Sequence, residues 1–312
     1  MTLRALFVLT VALCRAGAAP GDLPEPRQNS RLTAVQPLAG NMKSAPSILG
    51  RIDLGRTTPA ISAATLKDGT AVGLSVFAGT LRCYDTNGAL RWETHPAGLN
   101  FESIVAHEDL DGDGAPEVLL QAGRPAQPYG AAVLVSLDNG QLLWRYDVEP
   151  MSYAWYLYAG TYGPNDAKKQ IVVLEHAYPP DKDNGYIALF AYESGRAPVQ
   201  KWRYAFDEYT CFPTLLQNDI DADGVKEIVV ETHSRMWHLD ALTGAVKHHI
   251  HWSTAPGNER SYGLVKFTDV NKDGRDDFLC IANFAQHHEV LLNKDGKFEK
   301  AWGLGWGESV TT

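Results

Sequence analysis

Asp109-Leu110-Asp111-Gly112-Asp113-Gly114-Ala115-Pro116-Glu117 sets carboxylates at positions 1, 3, 5 and 9 of a nine-residue stretch, with glycine at position 6. A hard divalent cation such as Ca²⁺ takes six to eight oxygen ligands, and alternate acidic side chains on a tight loop supply them. Glycine at position 6 admits the backbone geometry of the turn. The spacing recurs in Asp219, Asp221, Asp223, Gly224 and Glu227, and again in Asp269, Asn271, Asp273, Gly274 and Asp277. One acidic glycine-rich turn is weak evidence for a metal site. Three copies in one register, each closed by an acid at position 9, form a repeat. An EF-hand needs a bidentate Glu at position 12, where this chain has Leu120, Val230 and Cys280. The reading is up to three short calcium loops of another kind, with structural ions.

The rest of the chain is built around that repeat. Each acidic loop is entered by a strand ("ESIVAHEDLDGDG", "TLLQNDIDADG", "LVKFTDVNKDG") and left by an apolar one ("PEVLLQ", "EIVVET", "DFLCIA"). A hairpin follows, turning at Gly88, Gly140, Gly195, Gly244 and Gly296, which are 52, 55, 49 and 52 residues apart. Asn-Gly and Asp-Gly between alternating apolar runs are strong hairpin signals. Four strands in each period predict an all-β protein, a β-propeller of four-stranded blades. The five units run over about 58–97, 101–149, 153–206, 210–254 and 260–304 of a repeat region at 46–312. Two units have lost their ligands: 160–176 has Gln170 at position 9, and 65–74 has Val72 there.

Ile48 to Gly55 resembles the fourth strand Leu142 to Glu149, as expected of a strand that completes the last blade. The expectation is a piece of a larger ring of six to eight blades; a closed ring of five is the competing reading.

The 312 residues are 45% hydrophobic and 21% charged, ordinary for a folded globular chain. The net charge of -9 leaves no electrostatic footprint for nucleic acid, and eleven of the acids stand at the ligand positions of the three loops. No apolar run reaches the roughly 18 residues of a membrane span. Residues 1–18 read as a secretory signal, with Arg4, an apolar run from Leu6 to Leu13 and Ala16-Gly17-Ala18 as the cleavage site. Residues 19–45, rich in Pro, Ala and Ser without periodicity, read as a linker. The expected location is secreted, periplasmic or cell-surface. Cys83, Cys211 and Cys280 lie in strand-like contexts and read as buried small hydrophobes.

The D-x-D-x-D-G-x-x-[DE] loops resemble the FG-GAP/VCBS-type repeats of secreted and cell-surface propellers, including the integrin α-subunit head. The resemblance covers about 46–312 and implies a calcium-stabilised propeller. Gly88/Trp92 and Gly140/Trp144 also resemble the docking tryptophans of quinoprotein propellers. The other three hairpins depart from that spacing and no adjacent cysteine pair is present, so no quinone is expected.

The face opposite the loops carries the unusual residues. Six residues after position 9 stand Gly123, His176, His233 and Asn283, with Arg124, Tyr129, Tyr178, Arg235, His287 and His288 nearby. Segments between blades add Phe101, Tyr153, Trp155, Tyr156, Arg260 and Tyr262. Rings that stack on sugars beside groups that bind hydroxyls or uronates suit a carbohydrate. The ligand-binding candidates are Trp155, Tyr156, His176, His233, Arg260, Tyr262, Asn283 and His287. The favoured function is a non-catalytic recognition module for carbohydrate or cell-surface protein. The alternative is a polysaccharide lyase, in which His176, Tyr178, His233 and Arg235 supply the base and the anion stabiliser. A third reading makes the aromatics packing residues between blades.

Overall fold

The computed structural model describes residues 60–125, 129–148, 152–162, 168–177, 185–192, 197–207, 214–231, 235–251, 266–282 and 287–304. Among them are five four-stranded antiparallel sheets and no helix, so none long and apolar enough to cross a membrane. The first blade is β1 (Ala60–Thr65), β2 (Ala71–Phe77), β3 (Thr80–Tyr84) and β4 (Leu90–Thr94). The second is β5 (Asn100–Glu108), β6 (Glu117–Gly123), β7 (Gly130–Ser136) and β8 (Leu142–Asp147). The third is β9 (Ser152–Gly160), β10 (Gln170–Ala177), β11 (Tyr186–Ala191) and β12 (Val199–Ala205). The fourth is β13 (Thr214–Asn218), β14 (Glu227–Glu231), β15 (Arg235–Asp240) and β16 (Val246–His251). The fifth is β17 (Lys266–Thr268), β18 (Asp277–Ala282), β19 (His287–Lys294) and β20 (Lys297–Leu304). Each blade is a meander in strand order. First strands of neighbouring blades lie side by side, β1 against β5 and β5 against β9. This is a β-propeller architecture.

The apolar second strands are buried on both faces, which explains their near-continuous hydrophobicity. Alternate residues face alternate neighbours. In β6, Val118, Leu120 and Ala122 pack toward the first blade, and Leu119 toward the third. In β10, Ile171 and Val173 face the second blade, and Val172 and Leu174 the fourth. A further cluster joins blades four and five through Ile220, Val229, Met236, Phe267, Phe278, Leu291 and Phe298. Cys83 is a free, buried thiol within this packing.

One irregularity recurs in every blade. The fourth strand carries an extra residue against the third, and the register steps over Arg91, Leu143, Lys201, Lys247 and Ala301. Such a bulge re-aims the side chains around it. The residue after it is Trp92, Trp144, Trp202, His248 and Trp302 in turn, opposite Cys83, Leu134, Leu189, His238 and Val290. Trp92 donates its indole N–H to the Leu137 carbonyl of the next blade at 3.0 Å. Trp202 does the same to Ala241 at 2.9 Å. The docking tryptophans therefore extend beyond the two hairpins in which turn spacing reveals them. Hairpin length varies, but the residue keeps its place in the register directly after the bulge.

Candidate functional site

The three acidic loops connect the first strand to the second in blades two, four and five. Each folds on its own carboxylates. The position 1 aspartates Asp109, Asp219 and Asp269 accept from the amides of Gly114, Gly224 and Gly274 at 2.8, 3.0 and 3.0 Å. Those glycines stand at φ of 82°, 87° and 91°, where L side chains are disfavoured. Position 4 is left-handed as well: Gly112, Ala222 and Lys272 have φ of 77°, 60° and 63°. The acid at position 9 starts each second strand and turns back to hold the position 2 amide. Glu117 accepts from Leu110 at 2.9 Å, Glu227 from Ile220 at 2.7 Å and Asp277 from Val270 at 2.8 Å.

In two loops this folding brings carboxylates together. Ligand oxygens of Asp109, Asp111 and Glu117 lie within 4.8 Å of one another, and so do those of Asp219, Asp221 and Glu227. Glu117 is buried, which pushes its carboxyl up to about 7, and the neighbouring Asp111, Asp109 and Asp113 charges add to that. Oδ1 of Asp219 is buried without a hydrogen-bond partner. All-oxygen donors, crowded charge and an unsatisfied carboxylate oxygen fit a hard divalent cation. Asp113 and Asp223 belong to the same loops but bond their own position 7 amides. The loop of Asp269, Asn271, Asp273 and Asp277 has an amide at position 3, and Asn271 Nδ2 donates to Asp273 at 2.8 Å.

The second loop already holds a cation. Lys247 Nζ lies 2.8 Å from Asp221, 3.1 Å from Asp223 and 2.6 Å from the buried Glu227. Burial works against this ammonium, but the hydrogen bonds it donates to Asp221, Glu227 and Asp223 hold its pKa above the ordinary lysine value.

On the opposite face guanidinium groups lie over rings. Arg124 sits 5.0 Å from the Tyr129 centroid and pairs with Asp147 at 2.7 Å. Arg235 sits 5.2 Å from the Trp237 centroid and pairs with Asp207 at 2.5 Å. The Arg235 hydrogen bond holds the Asp207 carboxyl below its ordinary range. Arg203 lies 4.1 Å from the Tyr186 ring and 4.0 Å from the buried Glu175, which accepts from Tyr146 at 2.9 Å.

Of the ligand-face candidates, Trp155 is not on an open face. It is only 5% exposed, lies inside β9 rather than in a connecting loop, and packs between blades two and three. Phe101, in β5, is 2% exposed, and Tyr156, also in β9, packs against the core between blades three and four. An aromatic run on a strand flanked by two sheets satisfies the packing of both neighbours, so these rings are held within the fold. His176 and His287 lie in β10 and β19, their side chains outside the described residues. Tyr178, His233, Arg260, Tyr262 and Asn283 also lie outside them, as do the signal and linker at 1–45. Arg235 is placed, beside Asp207 and Trp237. Sequence reading missed Asp147, Asp207, Arg203 and Glu175, although the recurring Trp-Arg-Tyr of 144–146 and 202–204 marks the column they belong to.

No family model matches the chain, and no curated protein does. Solved structures do. A rhamnogalacturonan lyase of Bacillus licheniformis superposes at TM-score 0.55 with 13% identity, over 80% of this chain and 51% of its own. BamB of Moraxella catarrhalis gives 0.48 and 14% over 83% and 68%, and the biofilm matrix protein Bap1 of V. cholerae 0.43 and 15% over 72% and 60%. This chain thus spans about half the length of the lyase. At such identities the likeness is one of fold.

Proposed function

We propose that the chain is a calcium-supported propeller of the FG-GAP/VCBS type, exported from the cytoplasm, that acts as a recognition module for carbohydrate or cell-surface ligands. One observation carries the binding reading: on the face opposite the acidic loops, Arg124 and Arg235 are each laid over a ring and braced by an aspartate. A braced guanidinium is a pre-oriented donor to hydroxyls and carboxylates. It stays protonated at all working pH values, so it serves recognition and not proton abstraction. Asp147, Asp207 and Glu175 accept from arginine or tyrosine, which leaves them poorly disposed to act as bases. The acidic loops, on the other face, take the ions and hold the blades.

The test exposes the protein in Ca²⁺ to acidic polysaccharides, following ultraviolet absorbance for unsaturated sugar ends and retention on immobilised polymer. The expected result is retention with a flat absorbance trace, weakened in Arg124→Ala and Arg235→Ala. An absorbance rise would replace this reading with a lyase.

A further inference from the structure

In blade four the bulge residue of the fourth strand reaches its own blade's first loop, and the charge at this register position varies from blade to blade. In blade four it is Lys247, whose ammonium is bound to Asp221, Asp223 and Glu227. In blade two the same register position is Leu143, packed in the apolar cluster between blades, and in blade five it is Ala301. Neither can place a cation in its loop. In blade one, which lacks the acidic set, the position is Arg91. Asp68 of that blade is held below its ordinary value first by its hydrogen bond with Thr70 and in smaller part by the Arg91 charge. In blade three, where Gln170 replaces the position 9 acid, it is Lys201. In blades one and three a cationic bulge residue goes with a loop that has lost the position 9 acid, and in blades two and five an uncharged one goes with a loop that keeps it. Blade four alone combines all four acids with a cation.

The geometry points to Lys247 as a built-in counter-ion that competes with a divalent cation for the Asp219–Glu227 loop, so that the three acidic loops are unequal sites. A metal there must displace an ammonium already bonded to three of the four carboxylates, whereas the Asp109–Glu117 loop has no such occupant from its own bulge. The ammonium also leaves Asp219 Oδ1 buried and unpartnered, as expected of a stand-in that neutralises charge without completing an ion's coordination. Blade four is then held together with or without metal, and the other acidic loops carry the response to calcium. This rests on the reading of the loops as calcium sites.

The experiment is calorimetric titration of the intact chain with Ca²⁺, comparing wild type with Lys247→Leu, which installs the residue of blade two, and with Leu143→Lys, the reverse exchange. Lys247→Gln serves as a second variant that removes the charge and keeps a polar side chain, and each protein is first shown to melt cooperatively. Lys247→Leu and Lys247→Gln are expected to tighten one site about tenfold or more, the scale of removing one like charge a few ångströms from the ion. Leu143→Lys is expected to weaken one site. If wild type and the Lys247 variants bind Ca²⁺ with the same stoichiometry and affinities, Lys247 is not a competitor, although the calcium reading stands. If none of the folded proteins binds Ca²⁺, both fall.

Discussion

The indole of Trp202 lies against Gly244, the turn glycine of the next blade: a Cβ on Gly244 would stand 2.6 Å from the ring. Trp92 and Gly140 are related in the same way, at 2.6 Å. Gly244 and Gly140 also hold φ of 72° and 75°, so glycine is required twice over, for backbone conformation and for room. The ring seals the joint and its N–H satisfies a carbonyl that would otherwise be buried unpaired.

Gly244→Ala therefore combines a steric clash with left-handed strain. It should cost at least about 2 kcal/mol, from αL strain of 1–2 kcal/mol plus overpacking. Trp202→Ala should cost about 3–5 kcal/mol through the cavity. Urea denaturation of both variants measures this, and a midpoint within error of wild type for Gly244→Ala would contradict the packing.

Metal removal gives the second expectation. An ion held at a hundred times its dissociation constant stabilises the fold by about 2.7 kcal/mol. EDTA should thus lower the melting temperature by several degrees, on the scale of 2–4 °C per kcal/mol for a domain of this kind. Asp109→Ala should reproduce part of the loss and blunt the further effect of EDTA. An unchanged melt in EDTA would argue against ions in these loops.

Acid should loosen the joint between blades four and five. His238 is 1% exposed, with its ring edge-on to Phe298 at 4.7 Å and near His248 at 6.0 Å. Burial, then the charges of His248 and Lys247, push its pKa from 6.5 down to about 3. The folded state therefore binds fewer protons than the unfolded chain between those values, so stability rises with pH across that window. The contribution is complete above pH 6.5 and is lost progressively as pH falls toward 3. His238→Leu, matching Leu134 and Leu189 of the other blades, should flatten this part of the stability curve. A slope unchanged by the substitution would place the titration elsewhere.

At position 4 of the second loop, Ala222 sits at a φ of 60°, a conformation that costs an L residue about 1 kcal/mol. Ala222→Gly should recover up to about that much, read as a higher midpoint in urea. A lower midpoint would mean that chain entropy outweighs the relief.

Much of this fold is legible in the sequence because its signals are local. Acid spacing, the apolar run after each loop and the turn glycines are patterns within nine or ten residues. What depends on closure is not. The left-handed backbone of Ala222 and Lys272 carries no residue signature, because amides bonded to the position 1 and position 3 side chains impose it. Trp202 and Trp302 escape a count from the turn glycine because their hairpins are longer, and only the bulge brings them into register. Trp155 looks like a ligand ring because an aromatic on an edge strand reads the same whether solvent or another sheet lies against it. Lys247 could not be foreseen as the partner of Asp221, since 26 residues separate them.

The joints between blades have a head and a tail. Trp92 donates forward to Leu137 of the next blade, while Lys169 reaches back with its amide to the Leu110 carbonyl of the blade before it, at 2.8 Å. Such an interface is heterologous, so a blade bearing both halves can follow or precede any other of its kind, and a duplicated blade slots in without redesign. The join between blades four and five breaks that interchangeability. His248 stands where a tryptophan would, Gly296 of blade five meets Asp221 instead of an indole, and Asn293 supplies the return bond to Ile220 at 2.8 Å. These two blades are specific to each other and would have to be gained, lost or transplanted as a pair.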